Sequence, residues 1–266
     1  MTSLLRADIT ALSPLAAIDF EDEWYETTSP THFWMQWRFE AFRRQLDRVR
    51  AEVGVPLRGL DVGGGHGILR AQLEATTPWR VDVADINAGA LNRCPPGRGA
   101  ILCYDVMQTH PDLVGRYDAL FLFDVLEHIQ RSGPFLAAAL AHVRPGGRLF
   151  INVPALQSLF SGYDSVLGHY RRYRKSTLVA EFAGLPVRID DMQYWGVAML
   201  PLLALRACLM RRAPIDAAER GRLARRGCEP PSRLTDRFLR RLMRLEAAIS
   251  PRPPVGTSIL CACTRL

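Results

Sequence analysis

Lysine is nearly missing from this chain of 266 residues: Lys175 stands alone against thirty-three arginines. Positive charge carried this way reflects coding bias as much as chemistry, so the net charge of +7 does not by itself announce a nucleic-acid binder. Its distribution says more. Residues 206–252 hold thirteen arginines against five acids, a balance of +8, while the remainder holds 21 basic and 22 acidic residues, a balance of −1. The basicity belongs to one segment, and no nucleic acid is expected across the rest. No long apolar run is present either. Gly196 to Met210, broken only by Arg206, falls short of the roughly 20 residues that span a bilayer. The first residues, with Arg6 and Asp8, show no sustained apolar core of a signal peptide. The cysteines (Cys94, Cys103, Cys208, Cys228, Cys261 and Cys263) include no C-x-x-C pair. That speaks against a zinc or disulfide framework and for reduced core thiols in a cytoplasmic protein, with Cys261 and Cys263 on one face of a strand. No spacing of histidines and carboxylates matches a metal-ligand pattern, so no metal is expected. Internal repeats are absent. What is there, 48% hydrophobic residues over this length, suffices for one large core with appended helices.

The most informative run is Leu60-Asp61-Val62-Gly63-Gly64-Gly65-His66-Gly67. An apolar stretch leads into it, and Ile68 to Leu73 opens as a helix. Strand, glycine turn and helix begin a βαβ unit of Rossmann type. At Gly63, Gly65 and Gly67 the bare backbone turns tightly and lets a ligand lie against it. A dinucleotide fingerprint wants Gly or Ala where Ile68 stands, and an acid within the strand, Asp61, would repel a pyrophosphate. Trp79 to Asp85 reads as a second strand ending in an acid 18 residues past Gly67, and Ala100 to Val106 as a third containing Asp105. Tyr117 to Ile129 carries a fourth strand and the run Asp124-Val125-Leu126-Glu127-His128, and Val143 to Pro154 is a turn followed by a fifth strand. A sixth is expected from Val187 to Tyr194, after a helix over Ser176–Gly184, and a last one from Thr257 to Thr264.

In this order the elements resemble class I S-adenosylmethionine (SAM) dependent methyltransferases, in their small-molecule branch. Asp61 to Gly67 match the D-x-G-x-G-x-G motif, and Asp124 to His128 match a D-V-L-E-H run. The resemblance implies an α/β fold with a Rossmann-like, seven-stranded, mostly parallel sheet, helices on both faces and an antiparallel last strand. It divides the chain into an N-terminal helical cap (1–50), a SAM-binding core (51–195) with an acceptor loop near 155–175, a basic and apolar helical insertion (196–252) and a final strand (253–266). For the cofactor it implies Gly63 and Gly65 beneath the methionine part, with Asp61 and Gly67 of the same motif also binding it, and Asp85 on the ribose, followed by Ile86. Asp105 then lies near adenine with Val106 on the ring, and Phe123 and Asp124 stand at the end of the fourth strand.

Acceptor residues are expected from two places. Before the first strand, His32-Phe33-Trp34-Met35-Gln36-Trp37-Arg38 leads into a helix reaching about Arg50, with Phe39, Phe42, Leu46 and Val49 at helical spacing. A similar H-x-W-x-x-x-R run closes over the cofactor in the same methyltransferases, which implies Tyr25, His32, Trp34 and Arg38 as substrate contacts. After the fifth strand, Gly168-His169-Tyr170-Arg171-Arg172-Tyr173 resembles their acceptor loop. It implies Tyr163, Arg171, Arg172 and Tyr173 in the pocket, with His169 and Tyr170 as catalytic groups; His128, just past the fourth strand at the carboxyl edge of the sheet, is the other candidate base. Two arginines there would suit a carboxylate or phosphate on the acceptor.

In the insertion, Leu234, Phe238, Leu242 and Leu245 form an apolar stripe among Arg237, Arg240, Arg241 and Arg244. A helix pair serving as lid or homodimer contact and a peripheral membrane or lipid contact both fit that pattern. The expected activity is methyl transfer from SAM to a small-molecule acceptor, acidic or lipidic. Other SAM chemistry (alkyl transfer, or ring closure releasing methylthioadenosine) and a non-catalytic SAM-binding partner remain open as alternatives.

Overall fold

A computed structural model describes residues 5–14, 29–210 and 232–266. The described strands are β1 (Ile9–Ala11), β2 (Arg58–Val62), β3 (Arg80–Asp85), β4 (Ile101–Cys103), β5 (Tyr117–Phe123), β6 (Val143–Pro154), β7 (Val187–Trp195) and β8 (Ser258–Arg265). They form one sheet in the order β1-β4-β3-β2-β5-β6-β8-β7. Every neighbouring pair is parallel except those made by β8, which runs antiparallel to β6 and β7.

The sheet has eight strands where seven are expected. The addition is β1, whose three residues pair in parallel with Ile101–Cys103 at the sheet edge. The segment before the first glycine loop is therefore not wholly a helical cap. A three-residue strand has no period to read, and its partner lies some ninety residues away in the chain.

Strand alternation divides the core in two. Leu120 and Leu122 of β5 face one side, with helices α4 (Ser132–Ala141) and α6 (Lys175–Glu181) supplying Phe135, Leu136 and Leu178, and Phe182 following at the end of α6. Ala119, Phe121 and Phe123 face the other. There α1 (Phe33–Arg48) and α2 (Ile68–Thr76) bring Trp37, Phe42, Leu46, Leu69 and Leu73. Phe42 meets Phe121, Phe123 and Phe150 edge-on, with ring centroids 5.0–6.0 Å apart, an arrangement that suits the aromatic quadrupole. A short helix α3 (Ala88–Arg93) follows β3, and α5 (Gly162–Val166) lies in the loop after β6.

The insertion supplies α7 (Leu200–Met210) and α8 (Arg233–Ile249). The inward side of α8 differs from the expected stripe: Leu239, Met243 and Glu246 face the protein, while Leu234, Phe238 and Leu245 are exposed. The cause is Glu246, whose carboxylate accepts the backbone N–H groups of Gly196 (2.8 Å) and Ala198 (2.9 Å) and so turns its own face inward. No described helix is long and apolar enough to cross a membrane. Cys261 and Cys263 share one buried face of β8 with sulfurs 3.6 Å apart, while Cys228 falls outside the described residues.

Candidate active site

The glycine loop sits where β2 ends beside β3. Gly63 adopts φ +68, and a Cβ there would meet Val125 Cγ2 at 2.7 Å, so the position demands glycine on both counts. Its N–H bonds Ala84 O at 2.8 Å, which pins the turn to the neighbouring strand. Asp85, at the end of β3, accepts the N–H of Gly65 and of Asn87, each at 2.8 Å. The carboxylate expected on a ribose thus also fastens the loop. Burial raises its pKa against those two donors. Asp61 is 2% exposed, and its Oδ2 has no hydrogen-bond partner. Burial pushes it up to about 7 despite the nearby charges of Arg38 and Arg70.

A cavity of about 680 Å³ runs from this loop to the turn after β5 and the loop after β6, a size ordinary for small-ligand sites. Of the cofactor residues expected from sequence, it is lined by Asp61, Gly63, Gly65, Asp85, Ile86, Phe123 and Asp124. Gly67, Asp105 and Val106 do not line it. Gly67 instead starts α2 with φ +76, where a Cβ would strike Cys94 Sγ. Asp105 accepts Met107 N–H at 2.9 Å and donates its own N–H to Ser13 Oγ, while Val106 is buried in the core.

On the acceptor side the cavity is lined by His32, Trp34, Arg38, His128, Tyr163, His169, Tyr170 and Arg172. Arg171 and Tyr173, expected there, point away. Arg171 donates to Ser132 Oγ, Gln130 O and Glu181, and the Tyr173 hydroxyl donates to Leu126 O at 3.2 Å inside the core. Tyr25 falls outside the described residues.

Three carboxylates organise this end. Asp124 closes β5 with φ +59, a strained conformation for a residue with a side chain. It is held by Asn152 Nδ2 and Arg38 Nη1, both 2.6 Å from its oxygens. Asp164 accepts from Arg172 Nε at 2.7 Å and lies 3.1 Å from His169 Nδ1. Burial alone would raise its pKa; the bond to His169 and the charges of Arg172 and His169 outweigh it and hold it low. Glu127 is 1% exposed with Oε2 lacking a partner, and burial followed by the charge of Asp124 raises it well above the usual range. Glu127 lines the cavity together with His128 and His169, and one ligand atom from each of the three lies within 4.8 Å of the others. The two imidazoles meet edge-on with centroids 4.7 Å apart. Burial, then the neighbouring His169, takes His128 down to about 3, so it is neutral near pH 7.

Glu127, Asp164, Leu203 and Arg206 are cavity or cavity-supporting residues that sequence reasoning did not single out. For Glu127 the signal was in hand, since it is the acid of the D-V-L-E-H run. For Arg206, which lines the cavity with its guanidinium 4.0 Å above the Tyr163 ring, the signal was a lone charge interrupting an apolar helix.

A family model described as Methyltransferase domain matches residues 34–198. No curated protein matches the chain. Among solved structures, a SAM dependent methyltransferase from Archaeoglobus fulgidus is similar at TM-score 0.53 and 17% identity, covering 87% of this chain and 96% of that one. The geranyl diphosphate C-methyltransferase of Streptomyces coelicolor gives TM-score 0.54 and 12% identity, with 86% and 77% covered. The cyclase SpnF gives 0.55 and 13%, with 90% and 84% covered. With more than half of its length matched by that model and its fold that of the SAM-dependent methyltransferases, the chain belongs to the methyltransferase domain family.

Proposed function

We propose that this protein transfers the methyl group of SAM to a small-molecule acceptor carrying an acidic or lipid-like part. The observation that carries the reading is one cavity with two unlike ends: buried carboxylates and bare backbone at the glycine loop, imidazoles and aromatic rings at the other. The cofactor, when bound, supplies a methyl group already activated on a sulfonium. The loop end suits it. Asp61 offers a buried oxygen without a partner for a cationic amino group, and Asp85 retains lone pairs for ribose hydroxyls beyond its two backbone bonds. Ile86 and Gly65 flank these acids, and Phe123 and Asp124 bound the midpoint.

The chain's task is then orientation, exclusion of water and removal of a proton from the acceptor. His128 and His169 are the groups at hand for that proton. Asp164 steers the His169 ring, and Tyr170, Tyr163, Trp34 and His32 shape the pocket. Arg172 and Arg206 bring positive charge to this end, which favours an acceptor carboxylate or phosphate. A lipid-like acceptor or a membrane surface draws support from α7. Leu203 and Arg206 face the cavity from it, while Leu202, Leu205 and Leu209 stand 56–72% exposed on its outer side. A second copy of the chain is the other occupant that this face fits, and molecular mass in solution separates the two.

The test is incubation with SAM and a panel of hydroxylated, carboxylated and phosphorylated acceptors, with mass spectrometry of the products. S-adenosylhomocysteine and an acceptor heavier by one methylene support the reading. Methylthioadenosine supports alkyl transfer or ring closure instead. SAM binding without turnover on any acceptor supports a non-catalytic partner.

A further inference from the structure

We propose that Glu127, His128 and His169 form a binding site for one divalent transition-metal cation on the acceptor side of the cavity, with its open positions facing the acceptor. Linear spacing hid the group, because two members are adjacent and the third lies 41 residues further along. The fold brings them together: Tyr170 N–H bonds Glu127 O at 2.8 Å, which clamps the loop bearing His169 onto the turn bearing the other two.

Three observations carry the inference. One ligand atom from each residue lies within 4.8 Å of the others. A cation about 2.1 Å from each needs them roughly 3–3.5 Å apart, which side-chain rotation supplies. The Glu127 carboxylate is buried, lines the cavity, and has an oxygen with no partner, a costly arrangement that a cation would relieve. Both imidazoles have outer partners, Asp164 Oδ1 for His169 Nδ1 and the Gly168 backbone for His128. Such contacts are the ones that fix ring orientation in metal sites. Two imidazoles with one carboxylate favour zinc, manganese, iron, cobalt or nickel over magnesium or calcium, which prefer oxygen ligands.

A cation here would bind an acceptor oxygen and lower its pKa, taking over the proton-releasing role given above to the imidazoles. That consequence rests on the methyl-transfer reading; the cation site does not. The sequence-based expectation of no metal and this proposal cannot both hold.

The full-length protein, stripped with chelator and desalted, is titrated with Zn²⁺ and Mg²⁺ by calorimetry and with Co²⁺ by visible absorption. The expected result is one Zn²⁺ or Co²⁺ per chain, with far weaker Mg²⁺ binding. Affinity should fall at least about tenfold in both Glu127→Gln and His169→Ala. SAM affinity, measured on the same samples, should stay near wild type and reports that each variant is folded. Should Glu127→Gln fail to fold, His169→Ala, whose side chain is less buried (11% exposed), carries the test alone. Absence of saturable Zn²⁺ or Co²⁺ binding overturns the site, as does binding that the variants leave unchanged. Failure of the methyl-transfer reading appears separately, as absent SAM binding or turnover with metal binding intact.

Discussion

Asp61→Asn should make the protein more stable and bind its cofactor less well. The side chain sits at the end of β2 with one oxygen unpaired, and burial moves its pKa from 3.8 to about 7. An acid raised in the fold holds its proton between pH 4 and 7, where the unfolded chain has lost it. Stability therefore falls as pH rises through that window and stays low above it. At 1.36 kcal/mol for each pH unit the window corresponds to about 4 kcal/mol. Asparagine has the same shape and no charge, so it escapes this penalty. Its own unpaired amide returns part of the gain, leaving roughly 2 kcal/mol, or about 5 °C in Tm, at pH 8. Near pH 4 the wild-type side chain is protonated and the gain should vanish. Loss of a charged hydrogen-bond partner for the cofactor's amino group should weaken SAM by roughly ten- to a hundredfold. Wild-type affinity for SAM should likewise fall as pH drops through about 7. Thermal melts of the ligand-free proteins at pH 4 and 8, with calorimetry of SAM, read out all of this. A variant no more stable at pH 8, or equally stabilised at both pH values, would refute the reasoning.

Asp85→Ala removes both the proposed ribose contact and the anchor of Gly65, so SAM affinity should drop at least about tenfold by calorimetry. Gly63→Ala forces a Cβ against Val125 at positive φ, and both Tm and SAM binding should fall. His128→Ala and His169→Ala should each lower turnover by roughly 100- to 10,000-fold with SAM affinity near wild type; near-normal turnover in both would mean that neither handles the acceptor's proton. Tyr173→Phe should cost about 1 kcal/mol of stability, the bond to Leu126 O, and leave acceptor KM unchanged.

Those outcomes bear on residues that the sequence made legible to different degrees. Asp61 through Gly67 could be read because strand, turn and helix lie next to one another, and the ligand-facing glycines follow from local backbone geometry. The loop His169 to Tyr173 could be read as a motif but not oriented. In an extended segment alternate side chains point to opposite sides. From Tyr170 onward the loop follows this alternation: Tyr170 and Arg172 face the cavity, while Arg171 reaches Glu181 and Tyr173 enters the core. Composition cannot supply that phase, since each residue is plausible on either side. Asp105 is a comparable case. An acid after a strand can serve a ligand or cap the following turn, and here the short turn at Val106–Gln108 takes its oxygen.

The aromatic helix before the glycine loop invites the image of a lid, and its contacts argue for a fixed wall. Arg38 of α1 is buried and reaches Asp124 at the end of β5, where Asp124 also receives Asn152 from β6. Asn152 Oδ1 in turn accepts Trp195 Nε1 of β7 at 2.9 Å, and the Trp195 ring lies 4.8 Å from that of Trp34 back on α1. The circuit is closed, and it surrounds Asp124, whose backbone is held in a strained conformation at the cavity. Lifting α1 would strip the buried guanidinium of its partner and expose two tryptophan contacts. With Asp124 still partly solvated, the ion pair alone resists by about 2–3 kcal/mol, and the ring contacts add to that. An opening that costly is populated to about one part in a hundred or less. Ligand exchange is then better served by the loop carrying Tyr170, which is 55% exposed, and by α7, whose Leu202, Leu205 and Leu209 are exposed among the described residues. The wall that α1 makes beside Asp124 is the part of the cavity built to stay still.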